Sequence, residues 1–253
     1  MELLANPEIL ALLFLAALLA GFVDALAGGG GLITVPALLL AQVPPVAALA
    51  TNKLQASFGS MTASYRMLKS GMVKWRDVRP LFIASLIGSA VGTLLVQRID
   101  TTILDALIPA VLIMIALYYL FIPNVIDESK PRISETTYRH TAAPAIGFYD
   151  GFFGPGTGSL FAFSRNFLRG DSLLASTARA KLMNFASNAI SLVLFALGGH
   201  MLWLAGGVMI LGQIIGSSVG SQLIVGGKVR WIRPMIVLVC IGMAVRYFWQ
   251  AFG

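Results

Sequence analysis

A chain of 253 residues that is 57% hydrophobic and only 11% charged cannot cover a soluble surface, because soluble globular chains carry roughly 25% charged residues. Its 18 basic and 11 acidic side chains leave a net charge of +7, which in an integral membrane protein reflects bases gathered in cytoplasmic loops rather than a nucleic-acid partner. The single cysteine, Cys240, excludes an intramolecular disulfide, and no Cys/His cluster has metal-ligand spacing.

The N-terminal stretch MELLANPEIL has acids but no Lys or Arg ahead of its apolar run, unlike a cleaved signal peptide. The run from Leu10 is therefore expected to stay in the membrane. Apolar segments follow at Leu10–Ala27, Leu32–Ala41, Lys53–Leu68, Leu81–Val96 and Ile103–Phe121, the longest approaching the roughly 20 residues that cross a hydrocarbon core. A polar link occupies Ile122–Thr141. The series then repeats at Ala142–Phe153, Leu160–Leu168, Lys181–Leu197, Trp203–Val225 and Ile232–Phe252.

The repetition extends to individual residues. Gly21-Phe22-x-Asp24 matches Gly147-Phe148-x-Asp150 at an offset of 126, while Lys53-Leu54 matches Lys181-Leu182 at 128. Gly71…Trp75 matches Gly199…Trp203, and IGSAVG (Ile87–Gly92) matches IGSSVG (Ile215–Gly220), again at 128. Four ordered matches indicate an internal duplication: residues 1–121 and 142–253 form two repeats of one membrane domain, joined by the linker 122–141.

Charge placement orients the repeats. Arg66, Lys69, Lys74, Arg76 and Arg79 crowd one link of the first half, whereas the equivalent LGGHMLW of the second half has no Lys or Arg. The following link reverses the bias, QRIDTT against the Lys228, Arg230 and Arg233 of GGKVRWIR. With the bases of the linker and Arg165, Arg169, Arg179 and Lys181 added, 15 of 18 bases fall on one side. The expectation is an all-α membrane protein of two inverted-topology repeats, its linker cytoplasmic and both termini outside; inverted repeats characterise secondary transporters.

Both repeats carry glycine clusters, GGGG at Gly28–Gly31 and GPGTG at Gly154–Gly158. The arm after the first, Leu32–Ala41, would rise only about 15 Å as a helix. Each cluster is therefore expected to be the tip of a re-entrant hairpin of broken helices, followed by three transmembrane helices; two thin full spans are the alternative. Broken backbone at that depth needs protein or water around it, and exposed N–H groups at a helix start suit an anion. By contrast, Gly88, Gly92, Gly216 and Gly220, spaced every four residues, suit close helix packing.

Asp24 and Asp150 are the acids that fall inside apolar segments rather than at their ends or in loops. An intramembrane carboxylate is a functional hypothesis by default: either it carries a coupling proton, or it bonds the broken backbone of its hairpin. Asn52 and Lys53 open the third segment, with Lys53 near a membrane face or somewhat deeper. Lys181, Asn184 and Asn188 stand at the corresponding place in the second half. Lys, Thr and Asn side chains bind oxyanions by charge and directed hydrogen bonds. The substrate site expected is thus Gly28, Gly29, Gly30 and Gly31 with Asn52 and Lys53, opposite Gly154, Gly156, Thr157 and Gly158 with Asn184 and Lys181. Lys181 and Arg179 equally serve as bases at the cytoplasmic face. No Walker A, HExxH or GxSxG pattern occurs, so no ATP-driven or catalytic role is expected and no residue is assigned as catalytic or metal-binding.

AGFVDALAGGGGLITVPALL followed by ALATNKLQASFGS, with GFYDGFFGPGTGS and ARAKLMNFASN in the second half, resembles the TauE/SafE family of sulfite and organosulfonate exporters over essentially the whole chain. Among its members the likeness is to bacterial inner-membrane proteins rather than to those encoded beside taurine or sulfoacetate degradation. The resemblance implies secondary transport of small sulfur-containing anions such as sulfite or sulfoacetate, an electrochemical driving force and no soluble cofactor. Partners are then a small anionic substrate and the lipid bilayer, with a homodimer left open. A cation or metal transporter using Asp24 and Asp150, and a non-transporting membrane subunit, are the competing functions.

Overall fold

The computed structural model describes residues 6–100, 103, 104 and 130–226. The expected segments Ile103–Phe121 and Ile232–Phe252, with Cys240 and Lys228, Arg230 and Arg233, lie outside them or nearly so. The described residues form an all-helical bundle: α1 (Pro7–Ala27), α2 (Gly31–Leu40), α3 (Pro45–Lys69), α4 (Trp75–Val96), α5 (Glu135–His140), α6 (Ala142–Phe152), α7 (Thr157–Arg169), α8 (Leu173–Leu197) and α9 (Trp203–Val225).

Local chemistry sets the helix ends. The Asn6 side chain accepts from the Glu8 N–H at 2.9 Å with Pro7 in the first turn, and the Ser134 and Ser172 hydroxyls accept from Thr137 and Ala175. Gly28 closes α1 in the left-handed conformation, φ 79°. Three helices begin well before the segments marked by hydropathy: α3 at Pro45, α4 at Trp75 and α8 at Leu173. In α3 the cause is an inward-facing polar set, Thr51, Asn52, Lys53, Gln55, Ser57, Ser60 and Ser64, all buried, which lowers mean hydropathy although the helix is interior.

Among the described residues, α1, α4, α8 and α9 are long and apolar enough to cross a membrane, and α2 is a shorter apolar helix. Apolar side chains face outward at helical spacing, Leu12, Leu15 and Leu19 on α1, Ile83, Ile87 and Val91 on α4, and Leu211, Ile215 and Val219 on α9. That exposure would be unfavourable in water and suits hydrocarbon. The arm α1 has 21 residues, about 31 Å of helix, so it is longer than half a bilayer, whereas α2 has 10.

Helix packing runs across the sequence halves. The α1 helix lies on α9, α6 on α4, and α3 contacts both α8 and α9. A methyl group on Gly88 would collide with the Pro144 carbonyl oxygen, and one on Gly216 with that of Leu18. The positions 88 and 216 differ by 128, and 18 and 144 by 126, the offsets found in the sequence. Likewise Ser217 Oγ donates to the Gly59 carbonyl at 2.7 Å, and Ser89 Oγ to that of Ser187 at 2.8 Å.

At one end of the bundle a buried guanidinium ties the linker to the second half. Arg165 Nη1 donates to Glu135 Oε1 at 2.7 Å and its Nη2 lies 2.6 Å from Asp171 Oδ2. Arg169 also reaches Glu135, at 2.9 Å, and Arg179 reaches Asp171, at 2.8 Å. Partial burial pushes the Glu135 carboxyl up, but hydrogen bonds and charge from Arg165 and then Arg169 outweigh this and hold it below the usual carboxylate range. Beside it, burial pushes the Tyr138 phenol up to about 12.

Two outcomes are expected in thermal unfolding of the detergent-solubilised chain. Gly88→Ala, overpacked against backbone, should destabilise by about 1–3 kcal/mol; Gly207→Ala, with nothing within 4 Å, should be neutral or stabilising, and equal shifts would refute the packing account. Glu135 is depressed in the folded state, so its contribution is complete above its unfolded value near 4.3 and fades as pH falls through the lower folded value. Glu135→Gln should flatten that acid limb, and an unchanged limb would assign it to other groups.

Candidate functional site

The glycine clusters of the two halves meet in the interior. A Cβ at Gly28 would overlap the Gly158 backbone, and one at Gly158 would lie 2.5 Å from Gly28 Cα. Ser159 Oγ donates to the Ala27 carbonyl across the same junction. Gly28 therefore faces two demands that only glycine meets, a positive φ and direct backbone contact.

The two lysines buried among the described residues stand at this junction. Lys53 lies eight residues beyond the start of α3 and Lys181 eight beyond the start of α8, both helices having 25 residues. Each is 1% exposed. Lys53 Nζ donates to Asp150 Oδ1 at 2.6 Å. Lys181 Nζ donates to the Asp24 main-chain carbonyl and stands 3.8 Å from Asp24 Oδ2. The pairing is crossed: each lysine takes the aspartate of the other sequence half. Lys181 is not the base at a membrane face that it equally suggested in sequence, because its ammonium is buried in the core. Lys53 takes the deeper of the two places expected for it, about 12 Å along its helix from Pro45.

The two pairs are unequal. Asp150 is tightly held, since Ser187 Oγ also donates to its second oxygen. Asp24 has a longer contact to Lys181 and a long 3.4 Å bond from the Gly30 N–H. Isolated charges inside an apolar bundle would cost several kcal/mol each; in crossed pairs the four charges cancel.

The remaining expected residues divide by what they already bond. Gly28 N–H donates to the Asp24 carbonyl at 2.7 Å, so Gly28 and Gly30 are both engaged by Asp24. The N–H groups of Gly29, Gly154 and Gly156 have no acceptor among the described residues. Thr157 turns its hydroxyl back to the Gly154 carbonyl at 2.6 Å. Lys53 Nζ lies over the second tip, 2.8 Å from where a Cβ on Gly154 would be. Asn52 Oδ1 accepts from Thr34 and Gln55 at 2.6 and 2.9 Å, which leaves Nδ2 as its free donor. That atom lies 3.6 Å from a Cβ built on Gly31, and the same Cβ would be 3.1 Å from Pro155 Cα, so Asn52 sits where the tips adjoin. Asn184 Oδ1 is occupied by Asn188 Nδ2 at 3.0 Å. Sequence reasoning had not singled out Thr34, Gln55 or Ser187; polar residues inside otherwise apolar segments were the available signal.

An all-helical, lipid-compatible bundle with a charged, hydrogen-bonded centre defines an integral membrane protein with a polar interior. The chain belongs to the Sulfite exporter TauE/SafE family, which it matches over residues 13–247, and is a membrane transporter. It is 45% identical over 240 residues to a Haemophilus influenzae protein named "Probable membrane transporter protein", covering 94% of both chains. It is 41% identical over 251 residues to the Escherichia coli "Probable membrane transporter protein YfcA", covering 99% of this chain and 93% of that one. A Bacillus subtilis relative, "Probable membrane transporter protein YunE", is 25% identical over 264 residues. No solved structure matches the chain.

Breaking either member of a buried ion pair strands the other. Lys53→Met and Asp150→Leu should each destabilise by about 3–5 kcal/mol, while the double variant Lys53→Met with Asp150→Leu should cost much less than their sum. Denaturation of the four proteins in one detergent measures the coupling; additive losses would show that the pair does not act as a unit.

Proposed function

We propose that the protein is a secondary transporter of small sulfur-containing oxyanions such as sulfite or sulfoacetate, bound where the two glycine tips adjoin. The observation that carries this reading is the crossed pairing of Lys53 with Asp150 and Lys181 with Asp24 at those tips. Two ammonium groups inside an apolar bundle are anion-binding charges held in reserve, each masked by a carboxylate. An incoming oxyanion competes with the carboxylate for the ammonium. The Lys181–Asp24 contact is the longer one, so it is the pair the substrate opens. The unbonded N–H groups of Gly29, Gly154 and Gly156 and the Asn52 amide supply further donors.

The charge count gives a coupling rule. The empty site is neutral, and a monoanion alone would leave it at −1. For a monoanion such as hydrogen sulfite, one proton on Asp24 restores neutrality and releases its carboxylate from Lys181, while a dianion such as sulfoacetate needs a second proton, on Asp150. Protons and anion then travel together and the net direction follows their combined gradient. The halves form inverted repeats in this proposal, with the base-rich links and the linker on the cytoplasmic side of a bacterial inner membrane. A cation cargo is less well supported, because each intramembrane carboxylate already faces an ammonium.

The test is flux in proteoliposomes loaded with sulfite, sulfoacetate or acetate, with an internal pH dye. A sulfur oxyanion should move with a proton. Asp24→Asn should retain anion flux and lose proton movement, and Lys53→Ala should abolish flux. Transport of cations only, or an Asp24→Asn variant with proton movement equal to the parent, would overturn the proposal.

A further inference from the structure

A second site lies away from the tips, in a groove of about 650 Å³ where the start of α4 meets the junction of α5 and α6. Its head is basic, formed by Arg76, Arg79, Arg139 and His140; its floor is apolar and includes Ile83 and Ile87. No acid among the described residues lies within 4.0 Å of the three guanidinium groups. Arg139 Nε is buried without any hydrogen-bond partner, a donor lacking its acceptor. The contrast with Arg165, whose charge is neutralised by Glu135 and Asp171, is direct.

We propose that this groove binds an anionic phospholipid from the surrounding bilayer, its phosphate held by Arg76, Arg79 and Arg139. Guanidinium groups suit a phosphate by charge and by paired donors. Below the bases the exposed apolar stripe runs from Ile83 through Ile87 to Val91, about 12 Å of helix, and gives an acyl chain a track. Trp75, also lining the groove and about half exposed, is the type of residue that marks the level of the headgroups. A free anion would use the basic head and leave the apolar track empty; a lipid uses both. Basic clusters of this kind beside membrane helices attract acidic lipids.

Native mass spectrometry of the intact chain in mixed micelles tests this, with phosphatidylglycerol, phosphatidylcholine and inorganic phosphate as probes. Phosphatidylglycerol should be retained about tenfold over phosphatidylcholine, from roughly 1.4 kcal/mol of charge recognition, and R76Q/R79Q/R139Q should remove the preference. Should the triple variant fail to purify, R79Q alone, changing an exposed and unpaired side chain, should lower it by a few fold. Equal retention of both lipids, a preference that survives the substitutions, or displacement of phosphatidylglycerol by equimolar inorganic phosphate would each overturn the proposal.

Discussion

Four charges buried in an apolar bundle constrain everything around them. Lys53 and Asp150, and Lys181 and Asp24, are each at most 6% exposed, and none is tolerable alone at that depth. Because each pair joins a residue of one sequence half to a residue of the other, each half holds one lysine and one aspartate whose ion-pair partners both lie in the other half. The helix contacts repeat the same dependence. The α1 helix lies on α9, and α6 on α4, so each glycine-tipped hairpin packs on the last described helix of the opposite half. The glycines that permit this, Gly88 and Gly216 against the carbonyls of Pro144 and Leu18, leave no room for independent motion at those contacts.

This arrangement bears on how a central site would be exposed alternately to the two faces. Rocking of one repeat against the other would shear the α1–α9 and α4–α6 interfaces, where backbone touches backbone. Motion that keeps each hairpin with the opposite half's helix breaks fewer such contacts. In the proposed cycle the moving bodies would then each contain residues from both halves, and the Lys–Asp pairs would lie close to the boundary between them. A pair that opens when a proton and an anion arrive could bias that boundary, since the ligands interact differently with its open and closed states.

Much of this was legible in the sequence because duplication supplies an internal comparison. The membrane class followed from charge content, and the glycine tips and the two acids followed from their cost in hydrocarbon. The burial of Lys181 was missed for a local reason. It follows Arg179 by two residues in ARAK, and adjacent bases look like a cytoplasmic face. Its correspondence with Lys53 at offset 128 was the better signal, because two lysines in equivalent positions share a depth. Pairing could not be read at all, since Asp24 lies 157 residues from Lys181 and nothing local marks the contact. The early starts of α3 and α8 were hidden for a related reason: polar residues that face a buried centre lower the hydropathy by which spans are recognised.

The inequality of the two half-sites narrows the cargo that the proposed site would prefer. On one side Lys53, Asp150 and Ser187 form a closed set, while on the other Lys181 holds the Asp24 main-chain carbonyl and stands 3.8 Å from its carboxylate. Donors without acceptors come from different elements: Gly29 before α2, Gly154 and Gly156 before α7, and Asn52 on α3. A planar carboxylate offers two oxygens in one plane and would leave part of this set unbonded. A sulfite or sulfonate group presents three oxygens around a pyramidal or tetrahedral sulfur, which can meet donors arriving from several directions. In a low-dielectric interior every unmet donor carries a penalty, so the geometry of the donors, more than net charge, favours sulfur oxyanions over carboxylates in the proposed site.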